Sequence, residues 1–131
     1  MKKILICIDQ SVRSLRVANE GILMAKSMNA EISLIHVIDP GTAQKIGGEK
    51  EKLLERKKVK ARKFLENILS DNSCAALIYV DEGDPGERIV AKAETLKPDL
   101  IVLGNNKRKG HPPGLTVKNI TKGIRTPVII V

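Results

Sequence analysis

Aromatic residues are almost absent from this chain of 131 residues. There is one Phe, one Tyr and no Trp, so aromatics make up 2% of the sequence although hydrophobic residues make up 42%. A core of Ile, Leu, Val and Ala favours helices layered on a sheet over an aromatic-rich binding module. Phe64 and Tyr79 are too few for the stacking platform that binds single-stranded nucleic acid, so that class is all but excluded.

Cysteine, histidine and long apolar runs are scarce as well. Two cysteines without a CxxC pair and two histidines argue against a disulfide or a metal site. Cys7 lies in an apolar run and is expected to be a small buried residue. The opening MKKILICIDQ resembles the start of a signal peptide, but its apolar run stops at Ile8. No run approaches the ~20 residues of a membrane helix. We therefore expect a cytoplasmic protein without a membrane partner.

Positive charge is abundant, with a formal net charge of +8. Much of it lies in Gly48–Lys63, which has eight basic and three acidic residues. The favoured interpretation is the solvated face of a helix. The alternative is a weak surface for anionic polymers or membranes, which would need basic residues on one face together with apolar wedges or stacking groups. These groups are not evident, and no specific nucleic acid is expected.

Strand and helix patterns alternate along the whole chain. Continuous apolar runs are typical of buried parallel strands, and apolar residues at helical spacing, such as Leu15, Ala18, Ile22 and Ala25, predict the helices between them. Strands are predicted at 3–8, 31–37, 75–80, 99–103 and 127–131, and helices at 11–28, 49–70, 85–96 and 116–124, with a loop over 41–48. This alternation predicts one α/β domain over 1–131: a doubly wound, five-stranded parallel sheet of order 3-2-1-4-5 with helices on both faces.

Two helix starts carry capping signals. Asp84 is placed to cap the third helix, Pro85 suits its first position, and Glu87 stands where the partner of a capping box belongs. Thr116 is the expected cap of the last helix. Its free amides would suit an anion.

The predicted topology places a ligand site beyond the carboxyl ends of the strands, where the winding reverses. The segments 9–11 and 37–39 and the loop from Gly104 to Thr116 would converge there. A glycine at position 104 can adopt a positive φ and lets backbone amides approach a ligand, while Lys107, Arg108 and Lys109 add positive charge. Together these features suggest a nucleotide with its base near Val37 and its phosphates near Gly104 and Thr116.

The order and spacing of four segments resemble the universal stress protein family over nearly the whole chain. These segments are KILICIDQS (3–11), ISLIHVID (32–39), EGDPGERIVAKAETLKPDLIVLG (82–104) and TPVIIV (126–131). The resemblance implies a doubly wound α/β fold and a homodimer. It also implies a family that divides into members that bind ATP and members that do not. The final strand, Val128, Ile129, Ile130 and Val131, is wholly aliphatic and is the expected dimer edge.

The resemblance implies ATP or another adenine nucleotide, such as AMP, as the ligand, with Mg²⁺ as an accompanying ion. Asp9 would contact the nucleoside, and Val37 would meet the adenine through its backbone. Gly104 matches the first glycine of the family's ATP motif, but Lys107 replaces the second. Strict counting puts Val117 and Lys118 at the final Gly-Ser or Gly-Thr pair, which is no match. A shortened loop would instead offer Gly114 and Thr116, with one leucine between them. The complete set of predicted nucleotide-binding residues is Ile8, Asp9, Ser11, Val37, Gly104, Asn105, Lys107, Gly114, Thr116 and Val117.

Two functions remain open at the level of sequence. One is a stress-response or regulatory protein that binds an adenine nucleotide, and the other is a non-catalytic dimeric adaptor of the same family. Glycines replaced by long side chains favour the adaptor, whereas added positive charge favours the binder. Asp9 could instead cap the helix that follows it, and Lys107–Lys109 could be a solvated loop tip. No catalytic residue is predicted, because no serine or cysteine pairs with His36, and slow ATP hydrolysis is left open.

Overall fold

The computed structural model describes residues 2–9, 12–39, 48–104 and 115–131. The helices and strands within these ranges alternate regularly along the chain. In chain order they are β1 (Lys3–Cys7), α1 (Val12–Ser27), β2 (Glu31–Ile38), α2 (Gly48–Asp71), β3 (Leu77–Glu82), α3 (Pro85–Leu96), β4 (Leu100–Leu103), α4 (Leu115–Gly123) and β5 (Val128–Ile130).

The five strands form one sheet of order β3-β2-β1-β4-β5, and every pairing is parallel. The strand order predicted from the sequence is therefore confirmed. At the amino edge, β1 and β4 are joined reciprocally: the Lys3 N–H donates to the Asp99 Oδ2 at 2.8 Å, and the Asp99 N–H donates to the Lys3 carbonyl at 2.8 Å. These bonds hold β1 and β4 in register at the amino ends of the strands, opposite the candidate site.

The core has two halves, one on each face of the sheet. On one face α1 and α2 pack against alternate strand residues such as Ile4, Ile6 and Leu34. On the other face α3 and α4 pack against the intervening residues, among them Leu5 and Ile101. Among the described residues, the large side chains that are fully buried in these two halves are aliphatic, which agrees with the composition.

The structure corrects three details of the sequence-based prediction. β3 spans Leu77–Glu82, two residues later than predicted. Leu15 is 40% exposed, because the inward face of α1 is centred on Val17, Ala18 and Ile22 rather than on Leu15. Thr116 is the second residue of α4, which begins at Leu115, so it does not cap that helix.

The predicted start of α3 is confirmed. Asp84 has extended dihedral angles (φ −71°, ψ 124°), and its Oδ2 accepts a hydrogen bond from the Glu87 N–H at 3.0 Å. Pro85 follows as the first helical residue. The side chain thus satisfies one of the amides that a helix start leaves without an intrahelical partner. No helix in the described part of the chain is long and apolar enough to cross a membrane.

Candidate functional site

The carboxyl ends of β2, β1 and β4 lie side by side and bring three predicted site residues together. Cys7 of β1 pairs with Ile35 of β2, and Ile6 pairs with Val102 of β4. Asp9 therefore follows the end of β1 at the level of Val37, with Gly104 one strand away on the other side. Adjacent strands are ~4.8 Å apart, so the three residues lie close together at the carboxyl ends of the strands. Asp9 and Val37 are both half-buried.

His36 joins the carboxyl ends of β1 and β2. Its side chain is 9% exposed, and its Nδ1 lies 2.8 Å from the carbonyl oxygen of Ile8. A carbonyl can only accept, so Nδ1 carries the proton and donates. The sequence predicted that His36 packs rather than acts as a base, and its burial agrees with that. The bond to Ile8, 28 residues away, was not predicted.

The backbone of Val37 points toward the open end of β1. The Ile35 carbonyl accepts from the Ile8 N–H, whereas the Ile38 carbonyl accepts from the Gly83 N–H beyond β3. Backbone groups of alternate residues in a strand point to the same neighbouring strand. The N–H and C=O of Val37 therefore point to the β1 side, beyond the last ladder bond. A bond from the Val37 N–H to the Ile8 carbonyl, which would be the next ladder bond, is not found among the described residues.

Position 104 requires glycine, but for a reason that differs from the predicted one. The positive-φ glycine among the described residues is Gly83 (φ 137°), so Gly104 does not use the conformational freedom expected of it. A Cβ at position 104 would instead lie 2.9 Å from Cγ2 of Val17. Val17 is 5% exposed and belongs to the core. Gly104 therefore lets α1 pack closely against the end of β4.

Other predicted site residues can be placed only in part. Thr116 and Val117 lie in the first turn of α4, of which the backbone is described. The first amides of a helix have no intrahelical carbonyl partner. The predictions for four residues fall outside the described ranges: Ser11, Asn105, Lys107 and Gly114. The same is true of Arg108 and Lys109.

No metal site is found among the described residues, and Cys7 is not a reactive thiol. No group of three or more His, Cys, Asp or Glu side chains in these ranges could hold a metal ion. Cys7 lies on the α3 side of β1, packed against that half of the core. Burial raises the pKa of the Cys7 thiol, so it stays protonated at neutral pH and is neither a nucleophile nor a ready metal ligand.

Four of the basic residues of α2 share one face, but the other requirement for a polyanion surface is not met. Lys52, Arg56, Lys60 and Lys63 are exposed and follow one another at helical spacing. The one aromatic residue of the helix, Phe64, is instead packed against the core. No stacking group accompanies these cations in the described helix, so the solvated face stays the favoured interpretation.

A separate cavity of about 450 Å³ lies at the opposite, amino edge of the sheet. Leu5, Ser33, Leu77, Leu96 and Pro98 line it, and Leu77 is 61% exposed. This cavity was not predicted from the sequence. It is mostly apolar and lies far from Asp9 and Gly104, so it is not part of the candidate nucleotide site.

Comparisons with known proteins agree with this architecture. The model of the universal stress protein family matches residues 1–131. Universal stress protein MJ0531 from Methanocaldococcus jannaschii is 31% identical over 138 residues, covering 99% of this chain and 81% of that relative. The solved structure of hypothetical protein MJ0577 is similar with a TM-score of 0.88 and 26% identity, covering 99% of this chain and 94% of the other.

Two further structures of this fold were solved with adenine nucleotides. A universal stress protein in complex with cAMP has a TM-score of 0.75 and 20% identity, over 99% of this chain and 96% of that one. The universal stress protein from Archaeoglobus fulgidus in complex with dAMP has a TM-score of 0.71 and 16% identity, over 99% and 97%. At these identities the likeness concerns the fold. The family model and the relative from Methanocaldococcus jannaschii, by contrast, match nearly the whole length: the chain belongs to the universal stress protein family.

Proposed function

We propose that this protein binds an adenine nucleotide, ATP or AMP, at the carboxyl edge formed by β2, β1 and β4, and acts as a stress-response or regulatory protein. The observation that carries the proposal is the direction of the Val37 backbone. Its N–H and C=O point to the β1 side beyond the last ladder bond, at the level of the half-buried residue Asp9. The solved structures of family members with cAMP and dAMP support the same ligand class.

The backbone of Val37 also suits adenine better than guanine. An adjacent donor and acceptor match the N1 acceptor and the N6 amino donor of adenine. Guanine presents a donor at N1 and an acceptor at O6, so both hydrogen bonds would be reversed and two buried polar groups would be left unpaired. The Asp9 carboxylate can accept hydrogen bonds from ribose hydroxyls. The amides of the first turn of α4 would favour the phosphates.

Calorimetry with ATP, GTP and adenosine tests this proposal. The wild type is expected to bind ATP and adenosine but not GTP. Asp9→Asn should weaken ATP and adenosine about tenfold alike, since a hydrogen bond to a charged group contributes about 1.5–3 kcal/mol. Asp71→Asn is the matched control, because it removes the same charge from an exposed position at the end of α2. Absence of ATP binding at low salt would refute the proposal.

We further propose a homodimer through the β5 edge. β5 is the last strand of the sheet, and Ile129 and Ile130 are 38% and 47% exposed. An exposed aliphatic edge strand is a template for pairing with a second copy about a two-fold axis. Light scattering should find a dimer at micromolar concentration that Ile129→Lys converts to a monomer. A wild type that is monomeric at that concentration would contradict the interface.

The adaptor function is the second candidate, and one sequence feature favours it. Lys107 stands where the family's ATP motif has its second glycine. A long side chain there removes a close-approach position for phosphate, although its charge can attract phosphates instead. A dimer that binds no ATP even at low salt would favour the adaptor, whereas strongly salt-dependent ATP binding would favour the charged loop.

A further inference from the structure

The end of the β1–β2 ladder departs from the regular parallel pattern. The Ile8 N–H donates to the Ile35 carbonyl at 2.9 Å, which continues the ladder by one bond beyond Cys7. In an evenly spaced parallel ladder, the Ile8 carbonyl would next accept from the Val37 N–H. The structure instead pairs the Ile8 carbonyl with Nδ1 of His36 at 2.8 Å. A side chain thus takes the acceptor that the backbone of Val37 would use.

This substitution has two consequences. The buried Ile8 carbonyl is satisfied, so ending the ladder there leaves no unpaired acceptor in the core. The Val37 N–H meanwhile keeps its direction toward β1, and its regular ladder bond to the Ile8 carbonyl is not found among the described residues. A buried donor without a hydrogen-bond partner is costly. Val37, however, is only half-buried at the carboxyl end of β2. Its N–H can therefore be satisfied by water or by a ligand.

We propose that His36 is a positioning residue for the nucleotide site: by holding the Ile8 carbonyl, it keeps the Val37 N–H available to an acceptor on the purine ring. His36 itself does not touch the ligand in this arrangement. This inference rests on the proposed nucleotide function for its ligand. The arrangement of Ile8, His36 and Val37 can be tested without one.

The test compares two substitutions of His36. His36→Phe removes the donor while keeping an aromatic ring in the buried space. His36→Asn is the conservative variant, because its amide nitrogen lies near the position of Nδ1 and can still donate to the Ile8 carbonyl. Ile32→Val is the stability control. It lies in the same strand and on the same face, near the amino edge, and it should destabilise modestly without reaching the site.

Two readouts are measured at a temperature at which all four proteins are folded. Hydrogen exchange of the Val37 amide is measured by NMR in the free proteins. It should be fast in the wild type and in His36→Asn, and at least about tenfold slower in His36→Phe, where the ladder can close. Adenosine affinity is measured by calorimetry. It should fall about tenfold in His36→Phe, equivalent to ~1.4 kcal/mol, and recover in His36→Asn, which can still donate to the Ile8 carbonyl.

The outcomes separate the two proposals. Equal adenosine affinity in wild type and His36→Phe, or an equal loss in Ile32→Val, would overturn the positioning role and leave the nucleotide site standing. Unchanged Val37 exchange in His36→Phe would overturn it as well. A wild type that binds no adenosine and no ATP would refute the nucleotide function. The exchange measurement would then still show whether His36 controls the Val37 amide.

Discussion

The role of Gly104 can be decided by adding a single methyl group. In Gly104→Ala the new Cβ would lie 2.9 Å from Cγ2 of Val17, closer than such atoms pack. Val17 is 5% exposed and its stiff side chain has little room to move. Because φ of Gly104 is not positive, the backbone accepts alanine without strain. The variant therefore isolates the effect of the steric contact.

The magnitude follows from two opposing terms. Overpacking of a buried site costs typically about 1–3 kcal/mol, whereas replacing glycine by alanine at a compatible position stabilises by about 0.4–1 kcal/mol through the unfolded chain. The contact should dominate, so we expect Gly104→Ala to lower the free energy of unfolding by about 1–2 kcal/mol. Val17→Ala alone should cost about 2 kcal/mol, because it leaves a small cavity.

The double variant provides the decisive comparison. If the Cβ added at position 104 and the Val17 methyl compete for the same space, the double variant should lose about 1 kcal/mol less than the sum of the single variants. Urea denaturation of the four proteins measures this coupling. ATP affinity should be similar in the wild type and the double variant, because the added Cβ points at α1 and not at the ligand. Additive losses, or a Gly104→Ala variant as stable as the wild type, would show that the packing explanation is incorrect.

The remaining predictions concern the start of α3 and the half-buried Cys7 thiol. Asp84→Ala should lower the free energy of unfolding by about 1 kcal/mol, because it removes the acceptor for the Glu87 N–H. Asp84→Asn retains an acceptor and should lose less stability. Equal urea midpoints for Asp84→Ala and wild type would refute the cap. In a Cys74→Ser background, Cys7 should resist maleimide at pH 8 in native buffer and react rapidly in guanidinium, because burial raises the pKa of its thiol; rapid labelling of the folded protein would contradict this.

The sequence by itself determined the architecture. Continuous aliphatic runs predicted buried parallel strands, and their alternation with helical patterns predicted the strand order that the sheet has. The capping signal at Asp84 was equally reliable, since a cap depends on a few neighbouring residues. The edge that carries Asp9, Val37 and Gly104 followed from the strand order, because the carboxyl ends of parallel strands meet at one side of the sheet.

Tertiary structure alone decided the details on which the candidate site depends. The hydrogen bond between His36 and Ile8 joins residues 28 positions apart, and it exists only because β1 and β2 pair in one register. The contact that requires glycine at position 104 comes from Val17, on a helix distant in sequence. Leu15 fits an apolar helical pattern yet is exposed, since the rotation of α1 on the sheet places Val17 inward instead. Periodicity reports which residues share a face of an element, but the way that elements pack decides which atoms meet.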